Sequence, residues 1–230
     1  MGGMSAAESR PNMQRRLVGW WVLIGALTLL NFSARFSEED SSSKTDNVLY
    51  RYDAAVFGFL FYALILGVVL VLASGFDSRE ALGLRRPRSW GSAVGIALGS
   101  FVALLIVAAA LEPVFGAGKA QGLDPTGWIP EKAPALVLNA LVVAVFGPIV
   151  EELLFRGVGF FLLSPFGQPA AIVITAISFS LTHGLAQGIP IFFIIGVGLA
   201  LLRARTGSIY PAMILHICFN GFGVITGVFT

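Results

Sequence analysis

The sequence is poor in charge, in histidine and in cysteine. Asp, Glu, Lys and Arg make up only 12% of its 230 residues, against roughly 25% in soluble domains. So few charged groups cannot coat a soluble surface. With 56% hydrophobic residues, 27 glycines and 19 phenylalanines, the composition is that of a polytopic membrane protein. A single cysteine, Cys218, excludes an intramolecular disulfide framework. The net charge of +2 is spread along the chain, and the lack of a basic patch argues against nucleic acid as a partner. Tandem repeats and low-complexity tracts are missing, and a second soluble domain does not fit. Three catalytic signatures are also missing: His-Glu-x-x-His, a Gly-x-Ser-x-Gly elbow, and a glycine-rich phosphate loop after a strand.

What is present is a series of apolar runs, and the expected fold is an all-α transmembrane bundle of about seven spans. Residues 1–16 are a polar N-terminal segment with Arg10, Arg15 and Arg16 just before the first run. Residues 17–133 hold three N-terminal spans, Leu17–Phe32, Ala54–Ala73 and Ser92–Leu111. Each of the latter two has about the 20 residues a bilayer requires. Polar connections are expected at Ser33–Asp53, Ser74–Trp90 and Glu112–Lys132. Residues 134–230 form a C-terminal helical core. It begins with one long helix, Pro134–Leu163, expected to kink near Gly147-Pro148. A turn at Ser164–Gly167 follows, then spans Pro169–Leu185, Ile189–Leu202 and Ser208–Val228. Gly196 and Gly198 in the sixth span permit close helix approach.

Loop charge sets the expected orientation. With the N-terminus inside and seven spans, the cytoplasmic side holds Arg10, Arg15, Arg16, Arg79, Arg85, Arg86, Arg88, Arg203 and Arg205, with Arg156 on that half. The other side holds Arg35, Lys44, Arg51, Lys119 and Lys132. An N-in, C-out protein of the plasma membrane is therefore expected.

The polar residues inside the apolar core carry the chemistry. The chain has two histidines, His183 and His216, and both lie in C-terminal spans. Glu151 and Glu152 interrupt the fourth. An ionisable group at such a depth costs about 2.5–3.5 kcal/mol on insertion scales and tends to face the bundle interior or a wet cavity. Helical spacing pairs Glu152 with Arg156, Phe179 with His183, and His216 with Asn220, each four residues apart. Glu151 lies about 100° round the helix from Glu152 and is left to point elsewhere. Measured from the turn at Pro165, Glu151 and His183 lie about 21 and 27 Å deep, similar levels on adjacent antiparallel helices. A carboxylate, two imidazoles and an amide in a wet cavity suit hydrolysis, with the carboxylate as base and the other donors holding an oxyanion. The same groups suit zinc.

The ordered trio Glu151-Glu152-x-x-x-Arg156, Phe179-x-x-x-His183 and His216-x-x-x-Asn220 resembles the CPBP family over about residues 135–225. These are the type II CAAX prenyl endopeptidases and bacteriocin-processing enzymes, also called the ABI family. Arg205-Thr-Gly-Ser208 also fits its pattern. The resemblance implies an intramembrane endopeptidase in contact with membrane lipid, acting on a peptide or protein substrate such as a prenylated protein or a bacteriocin precursor. It implies Glu151 as base with His183 activating water, His216 and Asn220 as the oxyanion site, Arg156 orienting the glutamates, and Phe179 packing the site. The family has been described as metalloproteases. The metal-free, glutamate-dependent reading is favoured; if zinc is present, its ligands are Glu151, His183 and His216.

Each motif has a plainer reading. Glu152–Arg156 alone is more often a structural pair, and a lone intramembrane histidine is often a helix–helix hydrogen bond. Two histidines, two acids and Asn220 together favour a site. Two other function classes stay open: a proton-coupled transporter using these groups as a relay, and a non-catalytic scaffold or immunity protein.

Overall fold

A computed structural model describes residues 6–38, 47–116 and 127–229 of the chain. The expected loop charges Glu39, Asp40, Lys44, Asp46 and Lys119 lie outside the described residues. The described chain is helical throughout, with no strand. Eight helices follow in order: α1 Ala6–Glu38, α2 Tyr52–Ala73, α3 Ser78–Ala81, α4 Trp90–Phe115, α5 Pro130–Phe166, α6 Gln168–Leu181, α7 Ile189–Thr206 and α8 Tyr210–Phe229.

Six of these are long and apolar enough to cross a membrane: α1, over Asn12–Arg35, α2, α4, α5, α7 and α8. The expected fifth span is different. α6 stops at Leu181, and its 14 residues rise only about 21 Å, short of a hydrocarbon core of roughly 30 Å. Gly184, in the left-handed region with φ +66°, turns the chain after it. The count is thus six long helices plus one short apolar helix.

The other boundaries also shift. α1 starts within the expected polar segment and continues past Phe32, since residues such as Ala, Glu and Arg favour helix whether or not they are apolar. The expected loop Ser74–Trp90 contains α3, which Asp77 caps by accepting from the Arg79 and Glu80 amides. α4 extends through Glu112 and Pro113 to Phe115, where Gly116 takes the left-handed C-cap. Pro113 is tolerated because only the last turn loses a bond.

α5 is the axis of the fold. Its continuity from Pro134 to Leu163 is as expected, and two wide π-helical stretches lie on either side of the Gly147-Pro148 segment where a kink was expected. One is Val142–Phe146 and the other Leu153–Gly159. Between them sits one short α segment, Gly147–Glu152, carrying both glutamates. Pro148 has no N–H to donate up the helix, which favours relaxation of the ladder just before it. The main apolar core surrounds this helix. It draws Trp20 from α1, Ile65 and Val69 from α2, Leu104 from α4, Phe179 from α6, Leu199 from α7 and Leu215 from α8. By contrast α4 fully buries only Ala93 and Leu104, half-buries Ile96, Ala97 and Phe101 against the core, and exposes much of its remaining surface, as suits a helix with one lipid-facing side.

Connections grouped by the charge count share one end of the bundle. Arg16 donates to the Val71 and Ser74 carbonyls. The Ile209 amide donates to Gly83 O at 3.0 Å and the Arg88 amide to Thr206 O at 3.3 Å. Phe76 meets Phe161 edge-on at 5.1 Å. The Asn31 end of α1 and the turn carrying His183 pack together at the other end, where the Asn31 side chain donates to Thr182 O.

Candidate functional site

The two glutamates are adjacent in sequence and face different environments. Glu152 is fully buried, with 0% side-chain exposure. Its Oε1 accepts from Arg156 Nη1 at 2.9 Å and from His216 Nδ1 at 3.0 Å. The i, i+4 pair read from the sequence is therefore formed. Arg156, also 0% exposed, sends its other terminal nitrogen to Gly196 O at 2.9 Å and lays its guanidinium over the Phe179 ring at 4.6 Å. A charge this deep requires such pairing, because an uncompensated buried ion costs several kcal/mol.

Glu151 instead faces a cavity of about 390 Å³, with 17% of its side chain exposed. Its Oε1 accepts from the Tyr62 hydroxyl at 2.7 Å, and its Oε2 lies 3.7 Å from His216 Nε2. His183 and Asn220 line the same cavity, together with Asn31 and Thr182. A second cavity of about 190 Å³ lies on the other side, lined by His216, Phe179 and Phe192, with His183, Val143 and Asn220 shared between the two.

His183 was expected on a helix face with Phe179. It lies two residues beyond the end of α6, yet it keeps that relationship. Its Nδ1 contacts Phe179 O at 2.7 Å, and since a carbonyl only accepts, Nδ1 carries the hydrogen. Nε2 of the neutral ring is then an acceptor. The ring stacks on Phe192 at 4.0 Å and meets Phe179 edge-on at 4.6 Å. Asn31 and Gly184 hold this turn in place, and a Cβ on Gly184 would come within 2.5 Å of the Asn31 backbone.

His216 bridges the two acids. A carboxylate likewise only accepts, so the hydrogen on Nδ1 points at Glu152. Asn220, one turn on, donates one amide hydrogen to Val143 O at 3.0 Å. Phe179 is a hub as well as filler: it contacts Arg156, both histidine rings and Phe155, the last two partners at 5.6 Å (His216) and 5.4 Å (Phe155). All seven residues singled out in the sequence are thus brought together. Arg156 holds Glu152 alone; no hydrogen bond joins it to Glu151.

Four neighbours were not foreseen. Tyr62 holds Glu151. Trp20 Nε1 donates to Leu154 O at 3.1 Å and Arg203 Nε to Arg156 O at 3.1 Å. Asn31 fixes the His183 turn. Only Tyr62 left a usable signal, as the one hydroxyl in the apolar run Ala54–Ala73.

Residues 133–222 match the family model for Type II CAAX prenyl endopeptidase Rce1-like proteins. That segment spans both glutamates, both histidines and Asn220. Over this segment the chain is similar to Rce1-like proteins. A curated relative is the Bacillus subtilis (strain 168) protein named "Putative membrane peptidase YdiL", 27% identical over 220 residues, covering 90% of this chain and 88% of that protein. This likeness extends beyond the core into the N-terminal helices. No solved structure matches. Among the described residues no three His, Cys, Asp or Glu side chains are grouped to hold a metal ion.

Proposed function

We propose that the protein is an intramembrane endopeptidase in which Glu151 activates water. One observation carries this reading: of two adjacent acids, one is buried against Arg156 and His216, and the other faces a cavity it shares with His183. A water between Glu151 and His183 Nε2 finds two acceptors. Glu151 takes one proton as the oxygen bonds to the scissile carbonyl carbon, and returns it to the amine nitrogen as the C–N bond breaks. The oxyanion is held by the second amide hydrogen of Asn220 and by His216 through Nε2. Such donors are typically worth about 2.7–4 kcal/mol each. Glu152 and Arg156 fix His216 so that Nδ1 stays committed and Nε2 is the nitrogen left for the site.

The substrate is a peptide or protein that reaches the cavity at the membrane. The family's description points to prenylated proteins, and bacteriocin precursors are the other class of the resemblance. The protein's insertion is N-in, C-out, as the loop charges favour for seven spans, and its membrane is the plasma membrane.

The test is cleavage of fluorogenic peptides by protein purified in detergent and then in liposomes. Glu151→Gln is expected to lower the rate by at least about 10³-fold with the melting temperature unchanged. A chelator is expected to leave the wild-type rate intact. Loss of activity on chelation, restored by zinc, assigns Glu151, His183 and His216 as ligands instead. Proton-coupled flux without cleavage supports a transporter, and neither activity supports a scaffold.

A further inference from the structure

We infer that Tyr62, on a helix outside the family segment, is the positioning residue for Glu151, and that Gly147 exists to admit its ring. This rests on the reading of Glu151 as the base. A glutamate side chain has three rotatable bonds, and fixing it costs up to about 1.5–2 kcal/mol of rotamer freedom. Glu152 is fixed by hydrogen bonds from Arg156 and His216. Glu151 has a hydrogen bond from neither: Arg156 spends its terminal nitrogens on Glu152 and Gly196, and His216 Nε2 stands 3.7 Å away, near but beyond hydrogen-bond distance. Among the described residues the Tyr62 hydroxyl, at 2.7 Å, is the donor that holds the Glu151 carboxylate. It engages Oε1, and so leaves Oε2 on the side of His216.

The surroundings are shaped for this contact. A Cβ on Gly147 would lie 2.8 Å from Tyr62 Cζ, 2.9 Å from Cε2 and 3.0 Å from the hydroxyl oxygen. No real side chain tolerates such distances, so the ring reaches Glu151 only because residue 147 is glycine. The ring is also set edge-on to Phe146 at 6.3 Å and to Phe61 at 5.8 Å, one neighbour on the first π stretch and the other on its own helix. Tyr62 thereby ties α2 to the segment that carries the acids. The glycine at 147 has a steric purpose independent of any kink.

The test compares wild type, Tyr62→Phe, Gly147→Ala, Tyr62→Ala and Tyr62→Ala with Gly147→Ala, using the peptide assay, with Glu151→Gln as the control. Tyr62→Phe keeps the ring and its packing. It is expected to lower kcat about 10–100-fold, the cost of a misplaced catalytic group, with KM within about twofold. Gly147→Ala is expected to lower kcat by a similar factor in the wild type by pushing the ring aside, and by less than about twofold when Tyr62 is already alanine. A kcat for Tyr62→Phe within about twofold of wild type overturns the inference. So does an equal cost of Gly147→Ala in both backgrounds, which marks a plain helix defect. If Tyr62→Phe lowers the melting temperature, the two Gly147→Ala comparisons still decide the matter. Retention of activity in Glu151→Gln defeats the assignment of the base itself; an inactive Glu151→Gln beside a fully active Tyr62→Phe defeats only the role of Tyr62.

Discussion

The two π-helical stretches of α5 flank the glutamates and differ in what surrounds them. In Leu153–Gly159 every residue is buried. Two carbonyls there accept bonds from other helices, Leu154 O from Trp20 and Arg156 O from Arg203. Its glycines admit large neighbours: a Cβ on Gly159 would meet the Trp20 indole at 2.8 Å, and one on Gly157 the Leu82 backbone at 3.1 Å. In Val142–Phe146 only Val142 and Ala144 are buried. Its carbonyl at Val143 accepts from Asn220, which faces both cavities. The same departure from α-helix is used twice. One stretch locks the helix into the core; the other leaves an amide beside the reacting centre. A π stretch thus marks a place where other elements must reach the backbone, and burial decides whether the result is structure or site.

This contrast can be broken from either side. The largest effect is expected at the lock. Arg156→Met removes the guanidinium paired with buried Glu152, leaving that carboxylate only its bond from His216, and costs about 3–5 kcal/mol, read as a collapse in folded yield and melting temperature in detergent. Asn220→Ala attacks the other stretch. It is expected to lower kcat by about 10²-fold or more through loss of an oxyanion donor, while thermal melting moves little because Val143 is not buried. Gly159→Ala forces the indole aside and costs about 1–3 kcal/mol of stability by overpacking, with kcat per folded molecule unchanged. Trp20→Phe removes the bond to Leu154 O and part of a fully buried ring, and is expected to cost about 1–3 kcal/mol, again with normal kcat. A kinetic defect in Gly159→Ala or Trp20→Phe at full stability, or a large melting shift in Asn220→Ala, would erase the distinction.

Much of the site was legible in the chain itself. Residues four apart share a helix face, so Glu152–Arg156 and Phe179–His183 could be paired before any fold was known, and both pairs are formed. His183 shows the limit of this reasoning. It keeps its relation to Phe179 through a ring-to-carbonyl bond after the helix has ended, which periodicity does not distinguish from one more helical turn. The fifth span was over-extended for the same reason: Thr182 to Leu185 carries neither proline nor a formal charge to mark a stop, yet the helix ends at Leu181 and Gly184, with φ +66°, turns the chain. Tyr62 could not be placed, because its partner lies 89 residues away.

The sequence by itself determined that the chain is a membrane-spanning helical bundle, since burial of apolar runs and the cost of buried charge allow little else. It also determined which polar groups must find partners inside. The tertiary structure alone decided which glutamate has which partners. Glu152 turns into a core of Arg156, His216 and Phe179, whereas Glu151 turns toward a cavity that exists only because α1, α2, α5, α8 and the His183 turn meet there. Two identical carboxylates one residue apart differ by about 100° of rotation. What lies at the end of that rotation is set by packing across the whole chain.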